Sequence, residues 1–208
     1  VGGNYGVVLP DQKFLEELRT VTQKNRAVLI FDEVITGFRF HFGAYADLLG
    51  IKPDLICLGK IIGGGLPIGA YGGDAGIMRH LSPSGNVYQA STFAGNPVVM
   101  AAGNATLNEL EARQEEYGRL SRYGYDLAEA FRQAVLSRQI KAAAVQHHSM
   151  VSVRFFEEGF FPKFYQNMLR QGVLLSPSEF EVNFVSFAHE EKDIQRTQDA
   201  VRQSVNAL

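Results

Sequence analysis

The chain has 208 residues, of which 46% are hydrophobic and 20% charged, a composition that supports one or two globular domains and excludes a disordered protein. Its 20 Lys and Arg residues are scattered and are balanced by 22 Asp and Glu residues, which argues against a nucleic-acid partner. The single cysteine cannot form an intrachain disulfide and no stretch has the ~18 uninterrupted apolar residues of a membrane span, so we expect a cytoplasmic protein without a membrane partner.

The first predicted elements suggest α/β layering. Residues 11–25 carry apolar side chains at helical spacing after the N-cap candidate Asp11, which predicts an amphipathic helix. The apolar run "AVLIFDEV" that begins at Ala27 ends in two acids and is typical of a strand buried on both faces of a helix-covered parallel sheet. Two further short strands are predicted within 53–59 and 67–73.

The pattern changes at Asn96, which is an N-cap candidate followed by a proline suited to the first helical position. A long helix is therefore predicted to begin there. Beyond it we predict a second helix, two alternating segments typical of half-buried strands and a terminal helix, over 115–138, 150–156, 172–189 and 190–208. This order divides the chain at 1–106 and 107–208, with the second part a small α+β domain.

Lys60 lies between an apolar strand and three consecutive glycines, where we expect an ammonium group to lose water. Such a lysine needs a partner, an exit to solvent or a chemical role. Asp32 stands at the end of the preceding predicted strand, and the carboxyl ends of parallel strands meet at one edge, where ligands bind. Two interpretations remain open: an ion pair in the core, or a site at which the lysine forms an imine with pyridoxal phosphate.

The second interpretation matches the chemistry that this cofactor needs. A lysine holds the aldehyde and later moves a proton, while a carboxylate near the ring nitrogen keeps that nitrogen protonated. Val34, two residues after Asp32, would share its face of a strand and pack on the ring. The glycines at 63–65 would let backbone approach the cofactor, but a GxxxxGK[ST] phosphate loop is excluded because the lysine precedes them.

Two long motifs, "LIFDEVITGFR" (29–39) and "PDLICLGKIIGGGLPIGAYGG" (53–73), resemble the class III pyridoxal-phosphate aminotransferases of fold type I. The segments at 3–8, 87–103 and 172–194 are similar to the members of that family that are glutamate-1-semialdehyde aminomutases. The resemblance extends from the first residue to about Ile194. It implies the carboxyl-terminal portion of a fold type I transferase, with part of a mostly parallel large-domain sheet and a small α+β domain.

The resemblance implies cofactor-binding roles for several of these residues. Lys60 matches the Schiff-base lysine, Asp32 the partner of the pyridinium nitrogen and Val34 the residue that packs on the ring. Asn4 matches a residue that approaches the ring hydroxyl, although an asparagine that satisfies a turn is an equal alternative from the residues alone.

Three further residues acquire roles in the same way. Thr92 matches a threonine that reaches the cofactor phosphate of the neighbouring subunit, which implies a homodimer with shared active sites, and Ser91 is placed to share that task. Glu181 matches a catalytic carboxylate near the substrate, whereas unaided it reads as a solvated strand charge. The adjacent histidines His147 and His148 lack metal-ligand spacing, so we expect a surface pair and no metal site.

The activity implied is amino-group transfer with pyridoxal 5'-phosphate, through its pyridoxamine form, on a small amino or aldehyde substrate. The expected reaction converts glutamate 1-semialdehyde to 5-aminolevulinate for tetrapyrrole synthesis. The alternatives are a class III transaminase acting on another amino acid or amine, and an inactive fragment that serves as a dimerising module. The chain opens at Val1 like a mid-chain strand, and the family's phosphate cup, stacking aromatic residue and gating segment are not found in it, so we expect it to be part of a longer enzyme.

Overall fold

The computed structural model describes residues 1–208, which form two compact units. One unit is Pro10–Gln114, and the other combines Val1–Leu9 with Glu115–Leu208. The division into domains at 106/107 stays a prediction. In the packing of this chain, the nine amino-terminal residues belong with the carboxyl-terminal ones.

The Pro10–Gln114 unit contains a three-stranded sheet with helices before, between and after its strands. Its first helix begins where the sequence predicts, because an Asp11 carboxylate oxygen accepts a hydrogen bond from the Phe14 amide at 3.2 Å. The elements are α1 (Gln12–Lys24), β1 (Ile30–Asp32), α2 (Tyr45–Leu49), β2 (Leu55–Gly59), a 3-10 helix (Lys60–Gly63), β3 (Gly69–Gly73), α3 (Ala75–Met78) and α4 (Pro97–Ala112).

The sheet has the order β1-β2-β3 and is parallel only between β1 and β2. The third strand is antiparallel because nine residues separate Gly59 from Gly69, fewer than the dozen or so that a parallel crossover needs. The strand β1 is an outer strand that pairs on one side only, and Ile30 is 54% exposed. The expectation of a strand buried on both faces is therefore wrong for this chain.

The second unit consists of three α-helices and an antiparallel sheet whose strands are Ala142–His147, Met150–Phe155 and Asn183–Phe184, in that order. The helix Phe160–Arg170 was not predicted, although Phe161, Phe164 and Met168 recur at the spacing of a buried helix face. None of the helices in either unit is both long and apolar enough to cross a membrane. The elements are a 3-10 helix (Gln114–Glu116), α5 (Tyr117–Ser137), β4 (Ala142–His147), β5 (Met150–Phe155), α6 (Phe160–Arg170), β6 (Asn183–Phe184) and α7 (Glu191–Asn206).

The core of this unit is built around three phenylalanines from α5, β5 and α6. Phe131 lies edge-on to Phe155 and Phe164, with ring centroids 5.4 and 5.6 Å away. This is the arrangement that aromatic quadrupoles favour. The helix α7 closes the core with Ala200, Val201 and Val205.

The strand β5 is buried on both faces, contrary to the alternation predicted from its sequence. Its second face is covered by the amino-terminal segment, where the Val7 amide donates to the Ser152 hydroxyl at 2.9 Å. A Cβ on Gly6 would lie 3.1 Å from that hydroxyl oxygen, so glycine lets the two segments approach closely.

The segment 172–189 was predicted to form strand, but only Asn183–Phe184 does so. The Ser178 hydroxyl accepts a hydrogen bond from the Phe180 amide at 3.2 Å, and this local bond favours a turn over a ladder. The preceding Pro177 has no amide hydrogen to donate to a neighbouring strand.

Acidification is expected to destabilise this second unit through His147. Burial, followed by the positive charge of His148, lowers the pKa of His147 from 6.5 to about 4. The unfolded chain therefore binds a proton at this side chain before the folded chain does, so its contribution to stability is present above pH 6.5 and is lost as the pH falls towards 4. Denaturation midpoints of wild type and His147→Gln across this range should diverge, with the wild type falling more steeply; parallel curves would contradict the assignment.

Candidate active site

Asp32 and Lys60 lie at the carboxyl-terminal edge of the sheet, the edge at which the parallel strands β1 and β2 end. The register of the parallel pair sets Asp32 opposite Cys57, and β2 ends two residues later at Gly59. Lys60 then opens the 3-10 helix. The side chains of Asp32 and Lys60 are both exposed, which is the placement that the two strand ends predict.

Val34 also lies at this edge, but not on a strand as predicted. The strand ends at Asp32, whose carboxylate accepts a hydrogen bond from the Val34 amide at 3.0 Å and so bends the chain into a turn. The Val34 side chain nevertheless lies at the site, because its Cγ1 is 3.2 Å from where a Cβ on Gly59 would stand. An apolar side chain therefore covers the backbone that leads into Lys60.

Lys60 is not desolvated as expected from its apolar surroundings in sequence. Its side chain is exposed and takes part in no ion pair, so the interpretation as a core ion pair with Asp32 is wrong for this chain. Its backbone has φ +47°, a left-handed conformation that costs a residue with a side chain about 1–2 kcal/mol. Such local strain persists only where neighbouring structure holds it.

Glu33 fixes the loop that follows Asp32. Its carboxylate is only 2% exposed and accepts hydrogen bonds from the Ala46 amide at 2.8 Å, the Tyr45 amide and the Thr36 hydroxyl. It thereby ties the end of β1 to the start of α2. Burial and, secondarily, the Glu33 charge raise the pKa of the Tyr45 hydroxyl.

Two of the three glycines after Lys60 serve packing within the chain. A Cβ on Gly63 would lie 2.8 Å from the Ile68 side chain, and one on Gly64 would lie 2.8 Å from the Ala102 carbonyl oxygen of α4. Only Gly65 has open space around it. In this structure Gly63 and Gly64 are therefore needed for packing within the chain, and not for the expected approach of backbone to a cofactor.

Ser91 and Thr92 are exposed in the loop that precedes α4. Ser91 starts a turn, with its carbonyl accepting from the Ala94 amide at 3.1 Å, and it lines a groove of about 660 Å³ beside the residues of β3. The predicted helix start is confirmed just beyond, where the Asn96 side chain accepts from the Val98 amide at 3.0 Å.

A second groove in this unit, of about 820 Å³, lies at the other end of the sheet. It is lined by residues at the start of β2 and the end of β3, including Lys52, Asp54 and Gly73. Size alone therefore does not identify the site, because this groove lies away from the edge that carries Asp32 and Lys60.

Asn4 and Glu181 belong to the second unit, and the structure brings their segments together. Asn4 is exposed on a loop closed by two hydrogen bonds between Gly2 and Val8. The Gly6 amide of that loop donates to the Phe180 carbonyl at 2.7 Å, next to Glu181. Glu181 is exposed in a turn, so the alternative of a solvated charge on a strand does not hold.

Sequence reasoning overlooked Arg154, which lies beside this turn. Its guanidinium carbon is 5.5 Å from the centroid of the Phe180 ring, a cation–π geometry that holds an exposed positive charge beside the residue that precedes Glu181. An arginine within the mostly apolar run "MVSVRFF" was the available signal.

Comparison with known proteins places these residues in context. The family model for aminotransferase class III matches residues 1–200. The glutamate-1-semialdehyde 2,1-aminomutase of Thermoplasma acidophilum is 45% identical over 98% of this chain and 51% of its own length, so the chain spans about half of this curated relative.

Solved structures confirm the predicted fold class. A β-phenylalanine aminotransferase from Variovorax paradoxus has a TM-score of 0.88 and 27% identity, covering 98% of this chain and 50% of its own. A glutamate-1-semialdehyde aminomutase variant from Pseudomonas aeruginosa, in complex with PMP, has a TM-score of 0.83 and 22% identity, covering 99% of this chain and 50% of its own. The architecture is thus that of about half of a class III transaminase.

Proposed function

The chain belongs to the class III aminotransferase family, and on that premise we propose that the protein carrying it is a pyridoxal-phosphate-dependent glutamate-1-semialdehyde 2,1-aminomutase. The observation that carries the proposal is the placement of Asp32 and Lys60 at one edge of a parallel strand pair. The 45% identity to an aminomutase supports the choice of substrate.

The residues at this edge fit the cofactor. They supply an exposed amine from Lys60, an exposed carboxylate from Asp32 and an apolar side chain from Val34. The amine suits the carbonyl group of the cofactor, and the carboxylate suits a protonated ring nitrogen. The apolar side chain suits the face of the aromatic ring. We assign Ser91 and Thr92 to phosphate binding, Asn4 to the ring hydroxyl and Glu181 to the substrate, as the resemblance implies.

When bound, pyridoxal phosphate supplies a carbonyl that condenses with amines and a ring that accepts electrons. Lys60 Nζ would act as the base that takes up a proton released at a substrate carbon and as the acid that returns one. The Asp32 carboxylate would hold a proton on the ring nitrogen by charge, and Val34 would pack on the ring. The exchange of amino groups between neighbouring carbons then needs no separate amino acceptor.

Borohydride reduction after addition of pyridoxal phosphate tests the central assignment. Peptide mapping is expected to find the pyridoxyl group on Lys60. A label on Lys52 or another lysine, or none at all, would refute it.

A class III transaminase that acts on another amino acid or amine is the second candidate. The similarity to a β-phenylalanine aminotransferase favours it. Arg154, whose guanidinium lies over the Phe180 ring, is compatible with both candidates, because glutamate 1-semialdehyde also carries a carboxylate.

Turnover of glutamate 1-semialdehyde without any added amino acceptor separates the two candidates. An aminomutase forms 5-aminolevulinate under these conditions. Strict dependence on an added keto acid would establish the transaminase instead, and absence of both activities together with absence of cofactor binding would favour a non-catalytic dimerising module.

Asp32→Asn is expected to lower turnover by about 10²–10³-fold, the usual cost of removing one electrostatic group from an active site. Cofactor affinity should fall by no more than about tenfold, since asparagine keeps a neutral hydrogen bond. Asp11→Asn is the matched control, because asparagine caps α1 as well as aspartate does. Steady-state kinetics and cofactor titration check both values; equal losses in turnover and affinity would contradict the assigned role.

We also propose that the protein forms a homodimer through the loop that carries Thr92. Three large apolar side chains flank that loop and are exposed: Tyr88 at 82%, Phe93 at 54% and Val98 at 69%. Apolar exposure of this kind marks contact surfaces. Sedimentation velocity is expected to show a dimer, and a monomer that binds the cofactor tightly would contradict the shared site.

A further inference from the structure

Two glycines bring the Lys60–Gly64 segment, here called the lysine turn, into direct backbone contact with helix α4. Gly64 has φ +59°, and a Cβ on it would lie 2.8 Å from the Ala102 carbonyl oxygen. Gly103 is buried on α4, and a Cβ on it would lie 2.6 Å from the Ile62 carbonyl oxygen. Each side of the contact therefore requires the absence of a side chain.

We propose that Gly103 is a positioning residue for Lys60, an inference that rests on the proposed function. Lys60 adopts a left-handed conformation that a residue with a side chain leaves unless it is held. Ile62, whose carbonyl meets Gly103, is two residues from Lys60 in the same 3-10 helix. Any displacement of that carbonyl therefore turns the backbone from which the lysine projects.

The contact also gives α4 a second task. Its first residues follow the loop of Ser91 and Thr92, and its middle supports the lysine turn. One helix thereby supports both the lysine and the loop whose hydroxyls are assigned to the cofactor phosphate of the neighbouring subunit. Gly103 determines the distance between that helix and the turn.

Gly103→Ala tests the proposal. Ordinary contacts of a Cβ lie at 3.4 Å or more, so the turn must move by about 0.8 Å, the difference between 3.4 and 2.6 Å. Displacements of about 1 Å at an active site cost up to about 10²-fold in rate. The rate of borohydride-trapped labelling of Lys60 by pyridoxal phosphate is expected to fall by about 10–10²-fold, with a shifted pH profile.

Gly118→Ala is the matched control, since this helical glycine of α5 has nothing within 4 Å of its Cβ position. It should label like the wild type. Thr106→Leu is the second variant, because Thr106 Oγ1 faces Gly64 and a larger side chain there presses on the turn from a second position of α4. It should slow labelling in the same direction if Gly103→Ala fails to fold.

Hydrogen exchange at the amides of Gly64 and Leu66, which are bonded within and just after the turn, supplies a readout independent of the cofactor. Faster exchange there in the folded variants supports the proposal. Wild-type labelling rates and pH profiles in folded Gly103→Ala and Thr106→Leu would overturn it. If the wild type is not labelled at Lys60, the proposed function is refuted. Hydrogen exchange then tests the role of Gly103 by itself, and unchanged exchange in the folded variants would overturn that role.

Discussion

Lys60→Ala is expected to abolish turnover. Loss of a positioned acid–base group costs on the order of 10²–10⁴-fold by itself, and Lys60 is also the residue to which we assign covalent attachment of the cofactor. Some cofactor should remain bound, because the groups assigned to its phosphate and ring nitrogen are unchanged. Steady-state rates and cofactor absorbance in the same samples measure the two effects separately.

The matched control is Lys52→Ala, which removes an exposed lysine at the opposite end of β2. Its activity should equal that of the wild type. A small primary amine added to Lys60→Ala is expected to restore part of the rate, since it supplies the missing proton acceptor. Full activity of Lys60→Ala would contradict the assignment of the site.

The sequence was sufficient to predict elements whose signals are local. Asp11 and Asn96 cap helices as expected, because a short polar side chain and the amides two or three residues later are all that a cap requires. The same holds for the edge that carries Asp32 and Lys60. Strand ends followed by charged residues are visible in sequence, and a parallel pairing brings them together.

Two features of the fold were not predictable from the sequence pattern. Val34 lies in a turn rather than on a strand because the Asp32 carboxylate captures its amide, although the alternation of residues was equally compatible with a longer strand. Burial of both faces of β5 depends on Val7, which is 145 residues away. No local pattern contains that information.

The glycines after Lys60 show the same limit. Their sequence indicates that something must approach closely, but not what approaches. In the structure the Ile68 side chain approaches Gly63, and helix α4 approaches Gly64. Gly103 had no signal at all, because a single glycine in a helix reads only as a weak helix former.

The largest expected effect on stability is that of Phe131→Ala. The side chain is 1% exposed and contacts two other rings of the core at edge-on geometry. Truncation removes the transfer free energy of the ring and leaves a cavity, which together cost about 3–5 kcal/mol in other cores. Domains of this size are typically stable by only about 5–15 kcal/mol, so the variant should lose about a fifth or more of its stability.

Urea unfolding followed by circular dichroism measures this loss as a lower midpoint at an unchanged slope. Leu136→Ala on the same helix is the control, because Leu136 is 77% exposed and its truncation should change the free energy of unfolding by no more than about 0.5 kcal/mol. Phe131→Leu should fall between the two, since leucine fills part of the cavity but cannot present a ring edge to Phe155 and Phe164. A loss below about 1 kcal/mol in Phe131→Ala would show that the core collapses around the missing ring and that the three phenylalanines do not hold the unit together.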